Sequence, residues 1–483
     1  MIAHRQNLTL SCGRRRHLLL AACLALAGCE VGPDYRPPAT AVAPFHNAPA
    51  VMAAQHGLPP ALDTWWRAFN DPILDGLLQR ALAQNLDLQA ALARERQAQA
   101  AALGAGAQML PTIDASATGT ALRQSLTTQI GRVGRSFPGY NRDQRDYNVG
   151  LAASWEIDLA GGLRRGAEAA DAEAQAAQAE WAGTRIMVVA DVADAYFQIR
   201  RDQARIAVTR QQIATDSHLL MLVRQLRGRG LADERQLSQA EAVLEQAQAS
   251  LPPLEISLEA QLNRLDVLLG AQPGTYAAQL ASPRPIPVIP AIISDDRPVD
   301  FLRRRPDIIA AERHLAASNA RIGVALADYY PKLSLSGLLG FESLSANRLF
   351  TAASFQPIAT GALRWRLFDF GKVDAEVGQA RGAHAEALAQ YREAVLRAAE
   401  DVEDALKTLL ELEKQQTRLE AEVNALQRTR DLSQQAYVAG SIPLTDVLDA
   451  DRQLLDARDN LAQNKGDAAR AAARAFRALG GGW

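Results

Sequence analysis

Two stretches of about 65 residues, 163–227 and 372–437, contain no proline, and each follows a matching motif. "SWEIDLAGGLRRGAEAADAEAQ" at 154–175 recurs as "RWRLFDFGKVDAEVGQARGAHAE" at 364–386, with Trp155 and Trp365 separated by 210 positions. "RGRGLADERQLSQAEAVLEQAQ" at 227–248 recurs as "YVAGSIPLTDVLDADRQLLDAR" at 437–458, and Gly230 and Gly440 are again 210 apart. The chain is therefore a tandem repeat, which limits it to architectures built from two copies of one unit. Pro111 and Pro331 are 220 apart, so ten extra residues lie between Pro111 and Trp155 in the first copy. They fall in the polar loop 123–146, whose counterpart near 343–354 is shorter; its arginines 123, 132, 135, 142 and 145 suit a solvated loop, or contact with anionic lipopolysaccharide.

Each copy alternates between two periodicities. Around the loops the period is two. Ile113, Ala115 and Ala117 alternate with Asp114, Ser116 and Thr118; Tyr147, Val149, Leu151, Ala153, Trp155, Ile157 and Leu159 share one parity. The second copy repeats this with Leu333, Leu335, Leu339 and Phe341, then Leu363, Trp365 and Leu367. Such runs predict strands at about 111–122, 146–159, 332–342 and 355–369, each with one apolar face. Their length, about ten residues, suits a tilted membrane strand; a soluble antiparallel sheet is the other reading. Elsewhere the period is helical. Val395, Val402, Leu409 and Val423 share a heptad position with Gln416, and Ala398, Ala405, Leu412, Leu419 and Leu426 follow three residues later, which is a coiled-coil seam. Helices are predicted at about 87–110, 163–227, 233–269, 306–330, 372–437 and 443–478. A 65-residue helix is about 100 Å long, and each pairs in length with two shorter ones end to end. Pro252-Pro253 should kink the 233–269 helix. The partition is a segment 1–28, an extended segment 29–62, repeat 1 at 63–270, a proline-rich linker 271–305, and repeat 2 at 306–483.

The first 28 residues read as a signal. Arg14, Arg15 and Arg16 precede an apolar run from Leu18 to Ala27, too short to span a bilayer. Leu26-Ala27-Gly28-Cys29 resembles the bacterial lipobox, which makes Cys29 the lipidated first residue of the mature chain. Glu30 follows it rather than an aspartate, so outer-membrane sorting is expected. Cys12 and Cys23 depart with the signal, leaving no pair for a disulfide. Four arginines and no acid depart as well, so 48 basic side chains remain against 54 acidic ones. That balance is no footprint for nucleic acid. No phosphate loop, nucleophile elbow or metal-ligand spacing is present, and His46, His56, His218, His314 and His384 are scattered, so neither an enzyme nor a metal site is expected. The only cofactor expected is the covalent lipid on Cys29. A structural coiled-coil lipoprotein would account for the helices and Cys29, but not for alternating strands at matched places in both copies.

Four strands cannot close a barrel, and an open edge in lipid leaves backbone groups unpaired. Three chains would supply twelve strands. The motifs "CEVGPDYRPP", "DTWWRAFNDPILDGLLQRALAQNLDLQAALAR", "RRRPDIIAAERHLAASNARIGVALADYYPKLSLSG" and "YVAGSIPLTDVLDADRQLLDARDNLA" resemble TolC-type outer-membrane efflux channels, of the nodulation-protein-T-like lipoprotein branch that serves resistance-nodulation-division pumps. The resemblance implies a mainly α fold with a membrane β-portion. It implies that three chains form a 12-stranded barrel in the outer membrane, continued by a coiled-coil tunnel in the periplasm. It also implies a periplasmic adaptor and an inner-membrane pump as partners, and passive exit of small molecules such as drugs; a protein-secretion channel of the same fold is the alternative. Five methionines in all give no support to a copper or silver relay.

The resemblance further implies a periplasmic gate at the turns beyond the long helices. Asp446 and Asp449 match the acids that ring the family's constriction, and their spacing of three at a helix start puts both on one side; carboxylates there also suit the helix dipole, which is the plainer reading. Tyr437 matches a position that helps hold the end shut. The arginine that often accompanies it is Ile442 here, and an acid expected six residues after Gly230 is Gln236. Trp155 and Trp365, on the apolar parity just before the long helices, are expected to face lipid at the inner rim of the barrel.

Overall fold

The computed structural model describes residues 30–39, 44–47, 49–50, 60–292 and 303–483; Cys29 and the signal lie outside the described residues. After a 3-10 helix at Leu62–Phe69, the elements run α1 (Pro72–Gln84), α2 (Leu86–Ala107), β1 (Thr112–Arg123), α3 (Gln129–Gly134), β2 (Asp143–Ile157), α4 (Gly162–Gly228), α5 (Glu234–Ala249), α6 (Leu251–Leu268), α7 (Ala277–Leu280), α8 (Pro306–Ala327), β3 (Lys332–Ser343), β4 (Phe355–Arg364), α9 (Lys372–Val438) and α10 (Leu444–Ala478). The two long helices, α4 and α9, are 67 residues each and begin and end at the same offset of 210.

Several elements differ from expectation. α1 is an additional helix, although its start carries clear signals: Asp71 caps the backbone of Ile73 and Leu74, and Pro72 occupies the first turn. The helix expected over 233–269 is two helices that meet at Ser250. The paired prolines sit at the start of α6, where no backbone donor is required, so they divide the rod instead of bending one continuous helix. β4 stops at Arg364 rather than 369, and the enlarged loop of the first copy holds α3, capped by the Thr128 side chain on Gly131. α2 and α8 end at Ala107 and Ala327, three residues short of 110 and 330, because each helix closes in a turn before its proline.

The chain forms two compact units, and neither coincides with a repeat. Of the described residues, those within 30–38, 96–175 and 312–389 form one, and those within 39–95, 176–311 and 390–483 form the other. Each draws on both repeats, because helices 67 residues long carry each copy through both units.

The first unit holds the sheet, antiparallel throughout in the order β1-β2-β3-β4. Its register puts Ala115, Leu151, Leu339 and Pro357 opposite one another, and likewise Trp155, Leu335 and Gly361. Directly opposed residues share a face, so the apolar parities of all four strands coincide on one side. The other side carries Asp114, Ser154, Ser334 and Glu342, with Leu338 and Ile358 as an apolar pair among them. β1 and β4 are exposed along their whole length, and each leaves one edge unpaired. Among the described residues no helix is long and apolar enough to cross a membrane.

The second unit has an aromatic core. Trp65 is fully buried and stacks on Phe476 at 4.9 Å, while Phe69 meets Phe197. Arg205 joins α4 to α10 through both oxygens of Asp459, at 2.8 and 2.9 Å.

Candidate functional site: the helical tips and the barrel rim

The turns after α4 and α9 use the same backbone device. Gly230 and Gly440 adopt φ of 71° and 72°, left-handed values that a Cβ disfavours. The amide after each glycine reaches back to close the helix, Leu231 to the Leu226 carbonyl and Ser441 to that of Ala436, each at 2.9 Å. Around these turns lies an apolar cluster of Leu219, Leu220, Val223, Leu237, Ala240, Leu444, Val447 and Leu448. Tyr437 and Ile442 pack against its margin, so here the tyrosine is held by packing with an aliphatic neighbour. Burial raises the Tyr437 phenol above its usual pKa.

Asp446 lies in the first turn of α10, and Asp449 one turn later; both are exposed. Asp449 accepts from Arg452 at 2.7 Å and from Gln453 at 2.5 Å. α10 has no side-chain cap, since Pro443 holds that position. Asp446 and Asp449 thus sit on the solvent side of a helix whose other side is locked into the cluster. In the first copy Gln236 closes the start of α5. Its side chain accepts from the Asp233 amide at 2.9 Å, and Asp233 accepts from the Gln236 amide at 2.8 Å. That reciprocal capping box needs an amide or acid at this place.

At the sheet, Trp155 lies in β2, and Trp365 one residue beyond β4. Their indole nitrogens donate to the Met109 and Tyr329 carbonyls, both at 2.9 Å, two residues before the prolines that open β1 and β3. Both rings remain exposed, and Tyr329, Tyr330, Phe368 and Phe370 add further exposed aromatics. The "LFDFG" stretch is a local signal for part of this band that strand parity alone passes over.

The segment after Cys29 is tied down. Val31 donates to the Ala160 carbonyl at 3.0 Å, and Asn319 to that of Pro33 at 2.7 Å. Arg165 is almost fully buried and pairs with Glu30, Asp34 and Glu168 at 3.1, 2.8 and 2.7 Å. Its hydrogen bond holds Asp34 below the usual carboxylate pKa. Gly32, at φ 106°, lets this strap lie against Gly323: a Cβ on Gly32 would stand 2.6 Å from the Gly323 Cα.

The description "outer membrane efflux protein" belongs to a family whose sequence profile matches residues 77–271 and 298–481. The chain belongs to this family. It is similar to the pyoverdine export outer membrane protein OpmQ of Pseudomonas aeruginosa, at 34% identity over 96% of each chain. It is also similar to nodulation protein T of Rhizobium leguminosarum bv. trifolii, at 29% identity over 91% of each. Among solved structures, the outer-membrane channel OprN matches at 33% identity with a TM-score of 0.85, over 94% of this chain and all of that one. This efflux protein is thus an exit duct in the outer membrane with a periplasmic helical part. It is trimeric, three four-stranded sheets closing one barrel, and works with an adaptor and an inner-membrane pump. Among the described residues no group of three or more His, Cys, Asp or Glu could hold a metal ion.

Proposed function

We propose that this efflux protein is a lipid-anchored exit duct for small organic molecules, of the nodulation-protein-T-like branch that serves resistance-nodulation-division pumps, with a periplasmic gate at its tips that Asp446 and Asp449 ring and Tyr437 helps to hold shut. The observation that carries the duct is the sheet: four strands, apolar on one face and polar on the other, with both edges unpaired. Closing three such sheets pairs every edge, turns the apolar face to lipid and the polar face to a lumen. Support for small organic cargo comes from relatives named for export of pyoverdine and of toluene.

Cys29 carries the lipid in this reading. The supporting facts are the Leu-Ala-Gly-Cys junction and the strap from Glu30 to Asp34, held beside the start of α4 by Arg165. Trp155 and Trp365 lie at the inner membrane boundary, with one ring face for lipid and an indole donor already satisfied. Three copies of Asp446 and Asp449 place six carboxylates near one axis, a ring that attracts cations and hinders anions.

The test is single-channel recording of the full trimer in planar lipid. Conductance with cation preference, and accumulation of a toxic dye that rises when the protein is deleted from cells, is the expected pair of results. A trimer that inserts and conducts nothing under any applied voltage would overturn the duct. Mass spectrometry showing an unmodified Cys29 in the membrane fraction would overturn the lipid anchor alone.

A further inference from the structure

Behind the exposed acids of the tip lies a second, buried pair. Asp216 on α4 and Asp451 on α10 are each 2% exposed, beside the tip cluster in which these helices contribute leucines and valines. Asp216 Oδ1 accepts from Gln212 at 2.8 Å, and Asp451 Oδ1 accepts from Arg430 of α9, also at 2.8 Å. The second oxygen of each, Oδ2, is buried with no hydrogen-bond partner among the described residues. Among the described residues only Asp451 of these two buried carboxylates is paired with a cation, the half-buried Arg430, and the Oδ2 of each acid lacks a donor. An arrangement with one excess negative charge and an unfilled acceptor on each acid is costly unless something neutralises it.

We infer that Asp216 and Asp451 form a proton-binding latch: a proton held by the pair fastens α10, the helix that bears Asp446 and Asp449, onto α4. Among the described residues no cation other than Arg430 pairs with either acid. On α4 the polar neighbour is Gln212, and His218 lines the space beside Asp451 from its exposed side. α9 contributes Arg430, itself shared with Asp431. α5 offers Gln239 and Gln246 to the groove of about 530 Å³ that Asp216 lines. α10 offers Asp449, Arg452 and Asp456 to that groove, and Arg452 is engaged by Asp449. Burial and, second, the Asp451 charge push Asp216 up to about 6.

The sign follows from linkage. The packed state binds the proton more tightly than a loosened one, in which Asp216 regains its ordinary value of 3.8. Packing is favoured below that value and loses its advantage as pH rises through about 6. A one-proton latch changes the ratio of open to closed by at most about tenfold per pH unit and about hundredfold in all for each protomer. A periplasm that follows the outside medium would thus release the tips towards neutral pH and grip them in acid.

The inference deepens the gate reading, and its experiment has one arm that needs no channel. Full trimers are studied from pH 4 to 7.5, with Asp446→Asn and Asp449→Asn as a background that removes the titration of the exposed ring. In planar lipid, open probability should rise with pH and level off above about 6. Asp216→Asn should flatten that curve at its acid, closed level; Asp451→Asn should move the midpoint down, since it removes the charge that raises Asp216. In the second arm, infrared difference spectra should show a protonated-carboxyl band lost near pH 6 and missing from Asp216→Asn. A flat profile in the unsubstituted trimer, or an infrared band unchanged in Asp216→Asn, overturns the latch. So does a profile abolished by chelator, which would make the guest a metal ion. If the trimer never conducts but the infrared band behaves as expected, the duct reading fails and the proton site stands.

Discussion

The two helical tips share a backbone and divide in chemistry. Both turn at a glycine with φ near 70°, closed by the same reach-back amide. After Gly230, Leu231 is exposed and Asp233 and Gln236 cap each other before Leu237 enters the cluster. After Gly440 the chain turns inward. Ile442 and Leu444 enter the apolar cluster, Pro443 replaces the side-chain cap, and Asp446 and Asp449 are left to solvent. Both tips pack into one cluster, but the first adds a capping box of its own and the second has packing in its place. A turn that caps itself keeps its shape when its surroundings move; a turn held by packing can be released by changing what it packs on. On the proposed gate reading, that difference assigns the moving part to the second copy.

The comparison breaks most visibly at the acids. Asp446→Ala with Asp449→Ala should abolish block by trivalent cations and most cation preference, while trimers still form on a gel. Asp233→Ala with Glu234→Ala, the acids of the other tip, should leave both properties nearly unchanged; equal losses in the two double mutants would erase the distinction. Next in size is Leu444→Ala. Its side chain is fully buried in the cluster, and truncation should cost about 2–5 kcal/mol locally. Hydrogen exchange should then quicken in the first turns of α10 and much less in α5.

Smaller effects test what the tips have in common. Gly230→Ala and Gly440→Ala meet no neighbour within 4 Å, so each should cost about 1–2 kcal/mol through φ alone. Matching losses in thermal unfolding would sharpen the view that only side chains distinguish the tips. The smallest effect belongs to Gln236→Ala, which removes one half of a capping box for about 1 kcal/mol or less and should speed exchange in the first turn of α5 only.

These contrasts also mark how far the residues can be read in one dimension. The long helices and the strand parities are legible because both depend on short-range periodicity, written twice, at an offset of 220 before the enlarged loop and 210 after it. The role of Gln236 is legible only as a departure, because a missing acid gives no hint of a cap until Asp233 is seen three residues earlier in an extended conformation. Asp216 stands on a stripe with Gln212, Leu219, Leu220 and Val223, a polar residue at a core position. Nothing local pairs it with Asp451, 235 positions away. Arg165 is similar: "GGLRRG" reads as a helix start, and the three carboxylates that surround it include two from the segment behind Cys29. α1 escapes for a different reason. It lies outside the repeated motifs, so no second copy draws attention to it.

The unpaired edges of the sheet have a consequence at the level of the cell. Because a barrel takes one sheet from each of three chains, every finished duct is a sample of the protomers available when it closed. Equal expression of a defective and a sound copy, mixing at random, leaves only about one-eighth of ducts wholly sound. A lesion that spares assembly, such as one confined to the Asp446–Asp449 face, would therefore spread its effect through the sound copies, while a lesion that destroys β1 or β4 would remove its own chain from the pool and harm nothing else. Damage to function should behave as dominant in this protein, and damage to the edge as recessive.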